Sequence, residues 1–231
     1  MALFDTALQK YRRKAYSQND EDGIIEYIFS RMPPLNRCFV EFGVGPPTGY
    51  TYEQGGLECN TRLLVERGWN GLMMDGNVYP RQAGVKTELI SALNINQLLH
   101  KYRVPYEMDL MSIDIDGQDF WVWSNLLFNP RVVIIEYNPH LGPDESKTIP
   151  FNVNYMWDGT RWYGASLRSL HRLGRSKGYT LIYANGVNAF FIRDDLIDNA
   201  RDFTFEGVYG FRGRLEYHPE DPFNRGWVTI D

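Results

Sequence analysis

The feature that most constrains this chain is how its pattern ends. After a series of alternating strand-like and helix-like segments comes "TLIYANGVNAFFI", two apolar runs joined by Asn185-Gly186. Asn-Gly is the preferred pair for a tight hairpin turn, so the last two strands should be antiparallel neighbours. Upstream, "CFVEFGV", "NGLMMDG", "ELISAL", "DLMSIDIDG" and "RVVIIEYN" read as five short buried strands. Helical patterns follow several of them: "NTRLLVERG", "NINQLLHKY", "DFWVWSNLL" and "SLRSLHRLGRSKG". Alternation of this kind predicts a parallel sheet with helices on both faces. The expected fold is α/β, a Rossmann-like doubly wound sheet, mostly parallel, with seven strands and a C-terminal antiparallel hairpin.

Residues 3–14 read as a first helix, and "SQNDEDGIIEYIFSRMPP" as a second. Ser17 and Asp20 have capping-box spacing, and Ile24, Ile25, Ile28, Phe29 and Met32 recur on one helical face. The pattern implies one domain over 1–231: N-terminal helices in 1–34, a core over 35–196, and an irregular tail over 197–231. A net charge of −5 argues against nucleic acid as a partner, because phosphate binding wants a basic face. Two cysteines, Cys38 and Cys59, give neither a disulfide framework nor a zinc spacing, which fits a reducing compartment. No apolar run is long enough to cross a bilayer, and the N-terminus lacks a signal-peptide core. The expected setting is cytoplasmic.

In "CFVEFGVGPPTGYTYEQGG" a strand runs into Glu41 and then Gly43-Val44-Gly45, as nucleotide-binding turns often begin. A dinucleotide fingerprint needs a third glycine leading directly into a helix. Here Thr48 stands at that place. Gly45 and Pro46 each precede a proline, which pushes them away from helical geometry. Pyrophosphate binding, and with it NAD, is disfavoured.

Several ordered stretches resemble one family: "YSQNDEDGIIEYIF", "FVEFGV", "LECNTRLLVERGWNGLMMDG", "LMSIDIDGQDFWVW", "VVIIEYNPHLGP", "YGASLRSL" and "GVNAFFIRDDL". Together they look like class I S-adenosylmethionine (SAM) methyltransferases, in a branch related to the FkbM-like enzymes. The resemblance covers roughly residues 15–196. It implies transfer of a methyl group from SAM to an oxygen of a sugar, glycan or other small hydroxylated metabolite. It also implies site residues. Glu41 and Gly43 would line the methionine side of SAM, with Gly43 and Gly45 letting the backbone come close to it. Asn60 and Thr61 would present a helix N-terminus to its carboxylate. Asp75 would accept the ribose hydroxyls, Asn94 would read adenine, and Asp114 would stand beside the methyl donor. The chain departs from the family in the insertion over 46–54, which is expected to shape acceptor entry.

The acceptor side is read from residue chemistry. "SIDIDGQDFW" and "IIEYNPH" should set Asp114, Asp116, Glu136, Asn138 and His140 along one rim. Asp114, Glu136 and Asn138 offer oxygens that suit a hard divalent ion such as Mg²⁺. His140 is the first candidate base because its pKa range suits proton removal near neutrality, and Asp116 is the second. The stretch from Asn138 to Tyr163 is long and patternless, yet carries Phe151, Tyr155, Trp157, Trp162 and Tyr163. It is expected to form a lid whose aromatics meet the acceptor or pack the lid onto the sheet. The competing readings are a non-catalytic SAM-fold binding protein and an NAD-dependent oxidoreductase or epimerase. The latter should show GxGxxG or YxxxK, and neither occurs.

Overall fold

The structure is a computed structural model describing residues 1–44, 59–77, 84–210 and 217–231. Gly45 and the insertion over 46–54 lie outside the described residues. In chain order the regular elements begin with α1 (Glu21–Arg31), β1 (Cys38–Phe42), α2 (Arg62–Glu66), β2 (Asn70–Asp75) and β3 (Val85–Thr87). Next come α3 (Ile95–Lys101), β4 (Leu110–Ile113), α4 (Asp119–Asn125), β5 (Val132–Glu136) and β6 (Lys147–Thr148). The chain closes with α5 (Leu167–Ser176), β7 (Tyr179–Ala184), β8 (Asn188–Arg193), α6 (Phe205–Tyr209) and β9 (Val228–Thr229).

Seven strands form one sheet in the order β3-β2-β1-β4-β5-β8-β7. All neighbours are parallel except those of β8, which runs antiparallel to both β5 and β7. The expected hairpin is present. Gly186 takes the positive φ of the turn, and the Asn185 side chain accepts the backbone N–H groups of Val187 and Asn188. The sheet is buried on both faces, which is why its strands read as continuous apolar runs. Along β4 and β5, Met111, Ile113, Val133 and Ile135 face the core under α3, α4 and α5. Leu110, Val132 and Ile134 face the core under α1 and α2. Ser166 caps α5 by accepting the Ser169 N–H, as its place before the amphipathic run suggests.

Four local expectations are corrected. The third strand is Val85–Thr87, upstream of "ELISAL". Its pairing with β2 closes where the Glu88 N–H donates to the Asp75 carbonyl, and the Glu88 carboxylate then turns to Lys101 and Tyr102 at the end of α3. The first segment forms only a 3-10 turn, Leu8–Tyr11. It then crosses closely over the start of α1, where the Gly23 N–H donates to the Arg13 carbonyl. No capping box forms at Ser17 and Asp20. Instead the Asp22 carboxylate accepts the backbone N–H groups of Ala15, Tyr16 and Ser17 and the Ser17 hydroxyl. The tail is not wholly irregular, because it holds α6 and β9, and β9 pairs antiparallel with β6 in a second, two-stranded sheet. No described helix is long and apolar enough to cross a membrane.

Candidate functional site

The C-terminal ends of β1, β2 and β4 converge, as ligand sites in such sheets require. Gly43 follows β1 with a φ of 67°, and a Cβ there would lie 1.4 Å from the Asp114 carbonyl oxygen. Only glycine fits. Asp75 ends β2, buried, and accepts the Asn77 N–H at 2.7 Å.

Four of the residues expected around the cofactor, Glu41, Asn60, Thr61 and Asn94, are engaged within the protein. The Glu41 carboxylate accepts the N–H groups of Asn60 (2.7 Å) and Thr61 (3.0 Å) and the Thr61 hydroxyl. Burial raises the Glu41 carboxyl, and these donors oppose the rise. The backbone donors at the start of α2 therefore point to Glu41. The Asn60 side chain donates to the Ser112 hydroxyl, which ties α2 to β4. Asn94 is also used locally: its amide accepts the Ser91 N–H and donates to the Leu89 carbonyl.

On the other side of the β4 end lies a cavity of about 140 Å³. Asp114, Asp116, Glu136, His140, Trp157 and Tyr163, all singled out from the sequence, line it. The turn after β4 is tightly drawn. Asp116 takes a left-handed φ of 57° and Gly117 one of 140°. Asp119 lies fully buried at the start of α4 and accepts the N–H groups of Ile115 (2.8 Å) and Gly117 (2.9 Å).

The oxygens suited to a cation belong to Asp114, Asp119 and Glu136, one from each lying within 4.8 Å of the others. Asp114 and Glu136 belong to the expected set; its third member, Asn138, is engaged elsewhere. Asn138 is fully buried, and its amide donates to the carbonyls of Arg161 and Tyr163 (2.8 Å each). Its oxygen accepts the His140 N–H at 3.0 Å. Asn138 therefore fastens the lid to β5. Sequence reading missed Asp119, although the run Asp114-x-Asp116-x-x-Asp119 carried the signal.

Crowding sets the electrostatics. Burial first, then the charges of Asp119 and Asp116, holds the Asp114 carboxyl well above its ordinary value. Burial pushes Asp119 up to about 7 against the two backbone donors. Asp116 is open to solvent on one side, but packing on the other side and the nearby Asp75 raise it too. A divalent cation would relieve this repulsion, and three carboxylates form a hard oxygen set suited to Mg²⁺.

His140 moves the other way. Burial, then Arg161 and His218, lowers its pKa, so it is neutral near neutral pH. Its Nε2 is buried and has no hydrogen-bond partner among the described residues. His218, which sequence reading missed, comes from the tail. Its ring packs at 5.4 Å from that of His140, 5.0 Å from Trp157 and 5.9 Å from Tyr163. Nothing local to His218 in the sequence marks it for this place.

The four aromatics of the 138–163 segment that were expected at the acceptor divide. Trp157 and Tyr163 line the cavity. The Tyr155 ring presses on Gly117, where a Cβ would come within 2.5 Å of it, and its hydroxyl donates to the Trp162 carbonyl. Trp162 lies under the Arg225 guanidinium and donates to the Gly226 carbonyl. These two secure the lid and the tail instead of lining the cavity.

Searches against protein-family models and curated proteins find no match for this chain.

Proposed function

We propose that the chain is a SAM-dependent O-methyltransferase acting on a hydroxyl of a sugar, glycan or other small hydroxylated metabolite. One observation carries the reading. A cavity at the ends of β4 and β5 gathers Asp114, Asp116, Glu136 and His140 beside the β1–β4 crevice. The sheet order with its antiparallel β8 is consistent with this reading, but fold alone does not assign chemistry.

SAM, when bound, supplies an electrophilic methyl group. In this reading Gly43 lets the β1 turn lie close on Asp114, and Asp75 faces the ribose end. His140, neutral and with its Nε2 unpartnered, accepts the proton that the acceptor hydroxyl loses. Asp116 is the second candidate for that role. Asp114, Asp119 and Glu136 would hold a divalent cation, which would lower the hydroxyl's pKa. Trp157 and Tyr163 give the acceptor an apolar wall, and the lid keeps out water.

Calorimetry with SAM, S-adenosylhomocysteine and NAD tests the reading. SAM and its product should bind with micromolar or tighter affinity, and NAD should not bind. A folded protein that ignores SAM would overturn it.

A further inference from the structure

We infer that Gln18 is the acceptor-recognising residue of this site, its backbone held at the cavity wall by the buried acids that follow it. The inference rests on reading the cavity as the acceptor site.

The segment "SQNDEDG" places three consecutive acids where they meet almost no water: Asp20, Glu21 and Asp22 are 6 %, 0 % and 1 % exposed. Burying carboxylates is costly unless donors surround them. Among the described residues only Arg12 forms an ion pair with this cluster, at Asp20. The remaining donors are neutral and specific. Asp20 accepts from the Tyr183 hydroxyl and the Asn185 amide, both at 2.9 Å. Glu21 accepts from the amides of Asn185 (2.7 Å) and Asn188 (3.0 Å). The acids therefore bolt the start of α1 to the β7–β8 hairpin.

The same acids grip the backbone on either side of Gln18. Asp22 takes the Ser17 N–H at 2.8 Å, and Glu21 takes the Asn19 N–H at 2.9 Å. The Gln18 carbonyl accepts from Lys14 Nζ at 2.8 Å. Gly23 is required because a Cβ there would lie 2.1 Å from the Tyr11 carbonyl oxygen. Ser17, Asp20, Glu21, Asp22 and Gly23 thus all have structural duties. Among the described residues none engages the Gln18 side chain, which is exposed and lines the cavity beside Gly186 and Val187 of the bolted hairpin. The backbone that carries Gln18 is fixed from both sides, so binding has only the side-chain rotamers left to order. An amide offers both donors and an acceptor, which matches a neutral hydroxyl that also does both.

The test follows transfer of label from [methyl-³H]SAM to a heat-treated, protein-free small-molecule extract of the producing cells. Wild type should label hydroxylated metabolites. Gln18→Met keeps the length without the amide, and Gln18→Glu keeps the shape without the donors. Each should lower the rate at limiting extract by about tenfold, the worth of one well-made hydrogen bond. More extract should recover the rate, with SAM affinity and melting temperature unchanged. Wild-type rates in both variants would overturn the assignment and leave the methyltransferase reading standing. Failure of the wild type to bind SAM would sink that reading itself. SAM binding without transfer to the extract would overturn the role of Gln18 and the enzymatic reading together.

Discussion

Gly43 and Asp114 stand so close that no side chain fits between them: a Cβ on residue 43 would lie 1.4 Å from the Asp114 carbonyl oxygen. The turn after β1 therefore rests directly on the end of β4. This contact sets the floor of the crevice and fixes the backbone that carries Asp114 into the cavity. Gly43→Ala must move a backbone carbonyl and also adopt a φ of 67°. The expected loss is on the order of 3 kcal/mol. Urea unfolding measures it, and an unchanged midpoint would refute the contact.

Glu41 is fully engaged with the start of α2. Glu41→Gln keeps the shape but weakens the acceptor for three donors, and should lower stability by about 1–3 kcal/mol. SAM affinity of the folded protein should change little. A large loss of affinity with no loss of stability would make Glu41 a direct cofactor contact instead.

The carboxyl cluster predicts a pH dependence with a definite sign. Asp119 titrates at about 7 in the fold against an ordinary 3.8, and Asp114 is raised as well. Between those values the folded state holds more protons than the unfolded chain, so stability falls as pH rises through that window. In EDTA the melting temperature should drop between about pH 4 and about pH 7, and Mg²⁺ or Mn²⁺ should recover it at the upper end. Glu136→Gln should abolish the recovery. Identical melting with and without cation at the upper pH would remove the metal assignment.

His140 has its pKa lowered by burial, Arg161 and His218. Turnover should rise with pH through an apparent pKa below 6.5 and then level off. His140→Ala should cost about 10²–10⁴ in turnover and leave SAM affinity nearly unchanged. Wild-type turnover in that variant would transfer the role of base to Asp116.

Arg161 ties the tail to the lid. Its backbone N–H donates to the Pro219 carbonyl, its guanidinium donates to the His218 carbonyl, and it pairs with Glu220. Arg161→Ala should loosen residues 217–231. Amide exchange at Ile230, whose N–H donates to Ser146, should quicken by about tenfold. Unchanged exchange would show that the β6–β9 pairing holds the tail without Arg161.

The order of strands and helices was legible because it rests on local chemistry. Buried strands show apolar runs, α5 shows a capped amphipathic stripe, and Asn185-Gly186 specifies a hairpin whatever surrounds it. Asp114, Asp116, Glu136 and His140 could be placed on one rim for the same reason: residues at or just past the ends of neighbouring parallel strands share an edge of the sheet. The third member of the carboxyl cluster was not legible. Asn138 and Asp119 are both plausible by composition. Only packing turns the Asn138 amide into the lid backbone and points Asp119 into the cluster. Glu41 likewise reads as a cofactor contact until α2 is seen seated on it. Gln18 and His218 reach the cavity from opposite ends of the chain, by contacts that no short window of sequence contains. Secondary structure follows from neighbours along the chain. The direction of a side chain is decided by the distant segments packed against it, and in this protein those directions build the site.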